Sequence, residues 1–541
     1  MPGDMPEVSA HESCDGGPLF GDDATAAVQT RYHDASSFLR ELLEANGYTA
    51  HAAIERTGVI SAAGGPPGGD EFFDMRHRGD LAAELSRDAQ GNLLLLFLVG
   101  RALDEATCEA TFGGATFAQL LDFGLLLRTH VNARVLVHSA VQIYPLALRS
   151  RELMLATDWD LDGTDRSRDR RYAVMPIGLD SLQLALSLPP SLTGMRVLDV
   201  CSGSGIQALT AAAHGAADVL ATDISARALR LVCFNTALNA RDDVVRVAEG
   251  SCYQPACGEV FDVILANPPF VAVPPTEVEA VRPALYVSGG ADGADVVREL
   301  VCGAVAAREG AVSGILAPGG CLLLVAQLPE IDAAHVWLLG AIRAREAQRS
   351  AQRSAVEIAI VYDPRHTQSA EQYAAARAAD YGCSARDWAA SMRAAGARTM
   401  GFGVVIVRVG DRHHERGHRI RDNGHDDDRH HERGHRIRVP QVAEADASTA
   451  TMLYGDGLQL VRGCVERALF GEAPIPPQHV VQEEGGVLLG VLGRIRGRGP
   501  AARVRIDVGN DGFTSYRVGS QGVLVVVRPA AANATGLVPM S

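Results

Sequence analysis

The residues whose types and spacing carry the most chemistry are Asn267-Pro268-Pro269-Phe270. They follow FDVILA (261–266), an apolar run of the kind that forms a buried strand. Two prolines end such a strand and fix the backbone, so the Asn267 side chain and the Pro268 carbonyl can face one point. Together they offer two acceptors to a planar NH2 group, and Phe270 offers a ring for that group to stack on. Taken alone, Asn-Pro is equally well read as a rigid turn after a core strand.

Two further pieces favour the chemical reading. RVLDVCSGSG (196–205) is a strand that ends near Asp199 and turns through Gly203 and Gly205 into IQALTAAAHG, which has helical composition. A glycine turn of this kind lets a ligand approach the backbone, with the helix N-terminus pointing at it. VLATDIS (219–225) is a second strand closed by Asp223, where an acidic residue can bind ribose hydroxyls, and Ile224 follows it. The turn is short and has no Walker lysine, which argues against a triphosphate. Carboxylates at both strand ends suit a cofactor with a cationic group and a free ribose better than a pyrophosphate.

With Asn267-Pro268-Pro269-Phe270 in the same unit, the chain resembles a class I S-adenosylmethionine-dependent methyltransferase of the Asn-Pro-Pro-Phe/Tyr group. That group includes release-factor glutamine methyltransferases, adenine-N6 methyltransferases of DNA and ribosomal RNA guanine-N2 methyltransferases. RPALYVSGGADGADVVREL (282–300) is similar to the segment after the motif in the glutamine methyltransferases, and APGGCLLLV (317–325) to the family's fifth strand. The resemblance runs from about Tyr172 to Val409. One departure is Ser251, where the family often has an acidic residue near the adenine.

The resemblance implies S-adenosylmethionine as cofactor, with Asp199, Gly203, Gly205, Asp223, Ile224, Ser251, Cys252 and Asn267 around it. Ser251 and Cys252, just after VVRVAEG, would border the adenine, and no metal is expected. Asn267, Pro268, Pro269 and Phe270 would hold the nitrogen that receives the methyl group. The favoured acceptor is a protein glutamine, as in translation release factors. The alternatives are an exocyclic amine of RNA or DNA (guanine N2 or adenine N6), or a scaffold that binds cofactor without catalysis.

The elements that must position these residues form an α/β, Rossmann-like sheet over residues 151–410. Past the fifth strand, a helix at 331–346, a strand at 358–363, a helix at 384–395 and a strand at 401–409 would complete it, the last strands antiparallel. Before it, residues 1–30 read as a flexible tail and 31–150 as a helical, winged-helix-like domain. That domain would have helices at 36–48, 92–103 and 117–121 and a hairpin within 125–146. A helical cap on the catalytic domain is preferred to a nucleic-acid reader there, because the basic residues of a recognition helix are missing. Asp158–Asp169 spaces its acids like a calcium loop but ends in Asp169 rather than glutamate, so an acidic surface loop is expected.

DRHHERGHRIR occurs twice within 411–438, a His/Arg-rich stretch with almost no apolar residues, expected to be disordered rather than metal-binding. Residues 439–541 read as a small accessory α+β region, with a helix at 458–470 and strands in GGVLLGVLGRIRG, ARVRIDVG and GVLVVVRP.

Composition sets the outer bounds. The 541 residues are 47% hydrophobic and 21% charged, which makes the chain globular, and the net charge of −15 argues against a broad nucleic-acid surface. Ten cysteines without a CxxC pair suit a reducing compartment. No apolar run is long enough for a membrane span, so a cytoplasmic protein with no membrane partner is expected.

Overall fold

The computed structural model describes residues 26–59, 66–131, 134–148, 151–159, 173–275, 286–305, 314–348, 356–362, 366–381, 383–410, 435–438, 504–508, 514–518 and 522–526. Its first part is a run of short helices. Ala26–Ala45 is the longest, so the expected tail is already helical at Ala26, and the chain leaves this helix through Gly47 at φ +64°. Ala89–Leu94 passes into a π-turn, Leu95–Val99, which Gly100 ends at φ +78°. Leu103, expected to end that helix, instead opens a short strand, β1 (Leu103–Asp104).

Helices Glu105–Phe112 and Gly114–Asp122 follow, then the expected hairpin of β2 (Leu126–Val131) and β3 (Arg134–Ser139). β3 lies between β1 and β2, antiparallel to both. Helix, short strand, two helices and a hairpin whose second strand sits centrally is the arrangement of a winged helix. A second hairpin pairs β4 (Gln142–Ala147) with β5 (Glu152–Thr157), so the boundary expected at 150 falls inside a hairpin.

The remaining strands build one sheet. They are β6 (Arg196–Val200), β7 (Asp218–Asp223), β8 (Val245–Glu249), β9 (Phe261–Ala266), β10 (Leu316–Pro329), β11 (Val356–Tyr362), β12 (Gln368–Ser369), β13 (Thr399–Val409) and β14 (His435–Arg438). The order is β14-β11-β13-β10-β9-β6-β7-β8, with β12 beside β13. β6 to β10 are parallel, and β13 runs antiparallel between β10 and β11. From β6 the chain steps outward to β7 and β8, then returns to place β9 on the other side of β6. Open α/β sheets bind ligands at such a switch point, outside the carboxyl ends of the strands.

β6, β9 and β10 read as near-continuous apolar runs because both faces are covered. Val197, Val263, Leu265, Leu323 and Val325 face one cluster, which includes Leu184 and Leu188 of the helix side. Leu198, Ile264, Leu322 and Leu324 face the other, with Val297, Leu300 and Val301 of helix Asp295–Val305.

The last part of the chain corrects one expectation. Residues 435–438 pair in parallel with β11 at the sheet edge, so the disorder expected for 411–438 does not extend to β14; residues 411–434 lie outside the described residues. Two of the expected C-terminal strands are present, β15 (Val504–Val508) and β17 (Gly522–Val526), joined by an unanticipated β16 (Thr514–Val518) in an antiparallel sheet. The helix expected at 458–470 and the strand in GGVLLGVLGRIRG lie outside the described residues, as does most of the acidic 158–169 stretch. Asp158 itself is not on a surface loop: it is buried, paired with Arg227, and accepts the Val174 N–H at 2.8 Å.

Candidate active site

The carboxyl ends of β6, β7, β8 and β9 bring the anticipated residues to one edge of the sheet. β6 delivers Asp199, which is fully buried. Its Oδ2 accepts the Ala208 N–H at 2.9 Å, tying the strand to the first turn of helix Ile206–Ala213, while Oδ1 has no partner among the described residues. Burial pushes the Asp199 carboxyl well above the usual carboxylate range, and the nearby Asp223 adds to that. Asp199 therefore sits beneath the turn rather than at its lip.

The turn itself is strained at its first residue. Cys201 has φ +58°, a left-handed conformation that costs a non-glycine residue about 1–2 kcal/mol. Gly205, the N-cap, needs φ +82°, and a Cβ there would stand 3.1 Å from Val232. The Gly203 N–H donates to Asp223 Oδ2 at 3.0 Å, and the Ser225 N–H donates to Oδ1 at 2.9 Å. Asp223 thus ties the β6 turn to the end of β7, and burial again raises its carboxyl despite these donors.

Ile224 beside it is 51% exposed, an open apolar face at the rim. Gly250 N–H donates to the Asp223 carbonyl at 3.0 Å and brings Ser251 and Cys252 alongside; Cys252 also takes a left-handed φ, +47°.

Asn267 follows β9 and is partly buried. Its Nδ2 donates to Asp180 Oδ2 at 3.0 Å and to Ser181 Oγ at 3.1 Å, which uses both amide hydrogens. Oδ1 is buried and has no donor among the described residues. Nor does any described residue donate to the Pro268 carbonyl. Phe270 meets Phe402 of β13 edge-on, with ring centroids 6.1 Å apart.

The segment after the motif is braced on two sides. Val271 N–H donates to the Val287 carbonyl and Gly289 N–H to the Val271 carbonyl, both at 2.9 Å. Gly293 has φ +80°, and a Cβ there would fall 2.5 Å from the Phe270 carbonyl oxygen, so the glycines of GGADG are cut to fit this loop. From the other side, Trp388 Nε1 donates to the Ala272 carbonyl at 2.9 Å, and the Ala272 N–H donates to Tyr373 Oη at 3.2 Å. The helix expected at 384–395 is present as Ala385–Ala394, but its partner Ala370–Tyr381 was not anticipated.

The edge thus gathers Asp199, Gly203, Gly205, Asp223, Ile224, Ser251, Cys252 and Asn267-Pro268-Pro269-Phe270. The hold of Asp180 and Ser181 on Asn267 is not visible in the sequence, nor are the places of Tyr373, Trp388 and Phe402 around the motif.

Comparison with known proteins bears on what this edge is. The model of the methyltransferase small domain matches residues 179–330, which includes the edge residues from Asp199 to Phe270. The release factor glutamine methyltransferase of Gloeobacter violaceus is 31% identical over 206 residues, 33% of this chain and 68% of that protein. The chain belongs to the S-adenosylmethionine-dependent methyltransferases with a methyltransferase small domain. The ribosomal protein uL3 glutamine methyltransferase of Bordetella pertussis is 36% identical over 135 residues, 24% of this chain and 42% of that protein. The release factor glutamine methyltransferase of Deinococcus radiodurans is 42% identical over 148 residues, 26% of this chain and 49% of that protein. This methyltransferase therefore spans less than half the length of those two relatives, and its N-terminal helical region lies outside the matched domain.

Proposed function

We propose that this methyltransferase transfers the methyl group of S-adenosylmethionine to the side-chain amide nitrogen of a glutamine in a protein. The observation that carries the reading is the pair of acceptors at Asn267 Oδ1 and the Pro268 carbonyl, neither of which has a donor among the described residues. A group with two N–H bonds in one plane is their complement. The choice of glutamine over a base is supported by the relatives, which are named as glutamine methyltransferases of release factors and ribosomal protein uL3. It is also supported by charge: the chain carries −15, and helix Gly114–Asp122, in the recognition position of the winged helix, has no Lys or Arg.

The residues present fit the cofactor. Two carboxyls shifted up by burial, one of them with an oxygen that no described residue donates to, suit an incoming ammonium and ribose hydroxyls, and the exposed Ile224 suits the flat adenine. Bound there, S-adenosylmethionine supplies a methyl group already activated on a sulfonium. In this reading Asp199 sets the charge under the methionine end and Asp223 holds the ribose. Ser251, Cys252 and Ile224 border the adenine, and Gly203 and Gly205 allow close approach of the backbone.

The chain's remaining task is to hold a poor nucleophile in line, because an amide lone pair is delocalised. Asn267 Oδ1 and the Pro268 carbonyl accept its two N–H bonds and favour the positive charge that develops there. Phe270, steadied by Phe402, stacks on the amide plane. The nitrogen that gains a methyl loses one hydrogen as a proton, which water can take.

Calorimetric titration with S-adenosylmethionine tests the division of roles. Asp223→Ala should weaken binding roughly ten- to a hundredfold, the value of hydrogen bonds to a charged group. Asn267→Ala should stay within a few-fold of the wild type while losing transfer. Unchanged affinity in Asp223→Ala, or lost affinity in Asn267→Ala, contradicts the assignment.

A further inference from the structure

We propose that Asp180 is a positioning residue that decides which way the Asn267 amide faces, and so whether the site presents an acceptor or a donor to its substrate. This rests on the reading of Asn267 as the group that accepts from the substrate amide. The oxygen and NH2 of an asparagine side chain have nearly the same shape, so packing barely distinguishes the two orientations; hydrogen-bond partners choose between them. At Asn267 the partners are Asp180 Oδ2 at 3.0 Å and Ser181 Oγ at 3.1 Å.

A serine hydroxyl can donate or accept and would satisfy either orientation. An ionised carboxylate only accepts, so Asp180 makes the choice. It cannot turn away, because its Oδ1 accepts the Ser181 N–H at 2.7 Å. Ser181 is held in turn, its carbonyl accepting from Gln207 Nε2 at 3.0 Å. The consequence is on the far side of the amide, where Oδ1 is buried without a donor among the described residues. A flipped Asn267 would aim its NH2 at the substrate NH2, donor against donor.

The position is costly for a carboxylate. Asp180 is 8% exposed, burial raises its carboxyl, and only hydrogen bonds oppose that shift. A buried acid that pairs with no cation among the described residues adds little to stability, which fits a directional role better than a structural one.

Asp180→Asn is the isosteric test. Its single oxygen can serve the Ser181 N–H or Asn267 Nδ2, and its NH2 then opposes the other donor. With the oxygen kept on the backbone N–H, the new NH2 donates to Asn267 and turns Oδ1 inward. The expected result is a loss of about a hundredfold in kcat, of the order seen when one polarising hydrogen bond is removed. Affinity for S-adenosylmethionine and thermal midpoint should stay near the wild type, and adding the substitution to Asn267→Ala should cost nothing more. Wild-type kcat in Asp180→Asn overturns the proposal.

A second measurement does not need an acceptor. The two side-chain amide protons of Asn267, assigned in an NMR spectrum by their loss in Asn267→Ala, should be shielded from exchange in the wild type and shift in Asp180→Asn. Resonances unmoved by Asp180→Asn also overturn the proposal. If the wild type binds cofactor but labels no glutamine, the functional reading fails by itself and this spectrum still decides the role of Asp180.

Discussion

Asp199 and Asp223 are acids in an unfavourable place, and the cost should be measurable in the absence of cofactor. Asp199 is fully buried with one oxygen unpaired, and burial holds its carboxyl well above the usual range. Its folded-state pKa lies above the unfolded value, so the native state is favoured while the acid is neutral. That contribution is complete below an unfolded pKa of about 4 and fades as pH rises through the folded value. Asp199→Asn should therefore melt at a higher temperature than wild type at pH 8, with the difference closing towards pH 4. The same variant should bind S-adenosylmethionine more weakly. A wild-type-like melting profile at both pH values would mean that the charge is already compensated.

Much at this scale was legible in the sequence. Asp199, the two glycines, Asp223 and the Asn-Pro-Pro-Phe run sit at strand ends that local pattern alone defines. The grip of Asp180 on Asn267 was not, because it joins residues 87 positions apart.

Among the elements, the helix pair Ala370–Tyr381 and Ala385–Ala394 holds the loop after the motif by both backbone groups of Ala272. Trp388 is fully buried in a cluster with Val271, Val273, Tyr373 and Met392. Trp388→Phe keeps most of that packing but strands the Ala272 carbonyl. It should cost about 1–3 kcal/mol of stability, the penalty for an unsatisfied buried acceptor. It should also lower kcat more than cofactor affinity, because the loosened segment carries Phe270. Chemical denaturation and steady-state kinetics on one preparation check both, and an intact kcat would show that the brace does not reach the site.

The second of these helices showed in the sequence through its serine start and apolar spacing. The first did not, since its inward positions are mostly alanines, which leave only a faint stripe. β5 was missed for a related reason: the edge it does not share with β4 is satisfied by side chains from far along the chain.

Those side chains join the N-terminal region to the methyltransferase domain. Asn235 on helix Ala226–Leu238 and Asn239 at its C-cap, one turn further on, act as a partner for the edge of β5. Asn239 exchanges both bonds with Met154 at 2.9 and 2.7 Å, and Asn235 does the same with Ala156 at 2.7 and 2.8 Å. Asn235 Nδ2 also reaches the Ser204 carbonyl in the glycine turn at 2.8 Å. The apolar core of the N-terminal region continues without a break into Ile206, Leu209, Leu231 and Phe234.

The N-terminal region is thus packed on helices Ile206–Ala213 and Ala226–Leu238 of the methyltransferase domain. Asn235→Ala should increase hydrogen exchange across β4 and β5 and weaken cofactor binding several-fold. Exchange confined to helix Ala226–Leu238 would show that the two parts are not coupled. This coupling could not be read from composition, which changes along the chain while the core does not. No helix among the described residues is long and apolar enough to cross a membrane.

The central claim is transfer of a methyl group to a glutamine amide, and its most direct measurement follows the label itself. Cell extract is incubated with the protein and S-adenosylmethionine labelled in the methyl group, with Asn267→Ala in parallel, and the product is divided between nuclease, protease and acid hydrolysis. The account predicts label that survives nuclease, is released by protease, appears as methylamine after acid hydrolysis of the amide, and is absent with Asn267→Ala. Label released by nuclease, or equal labelling by Asn267→Ala, would contradict it.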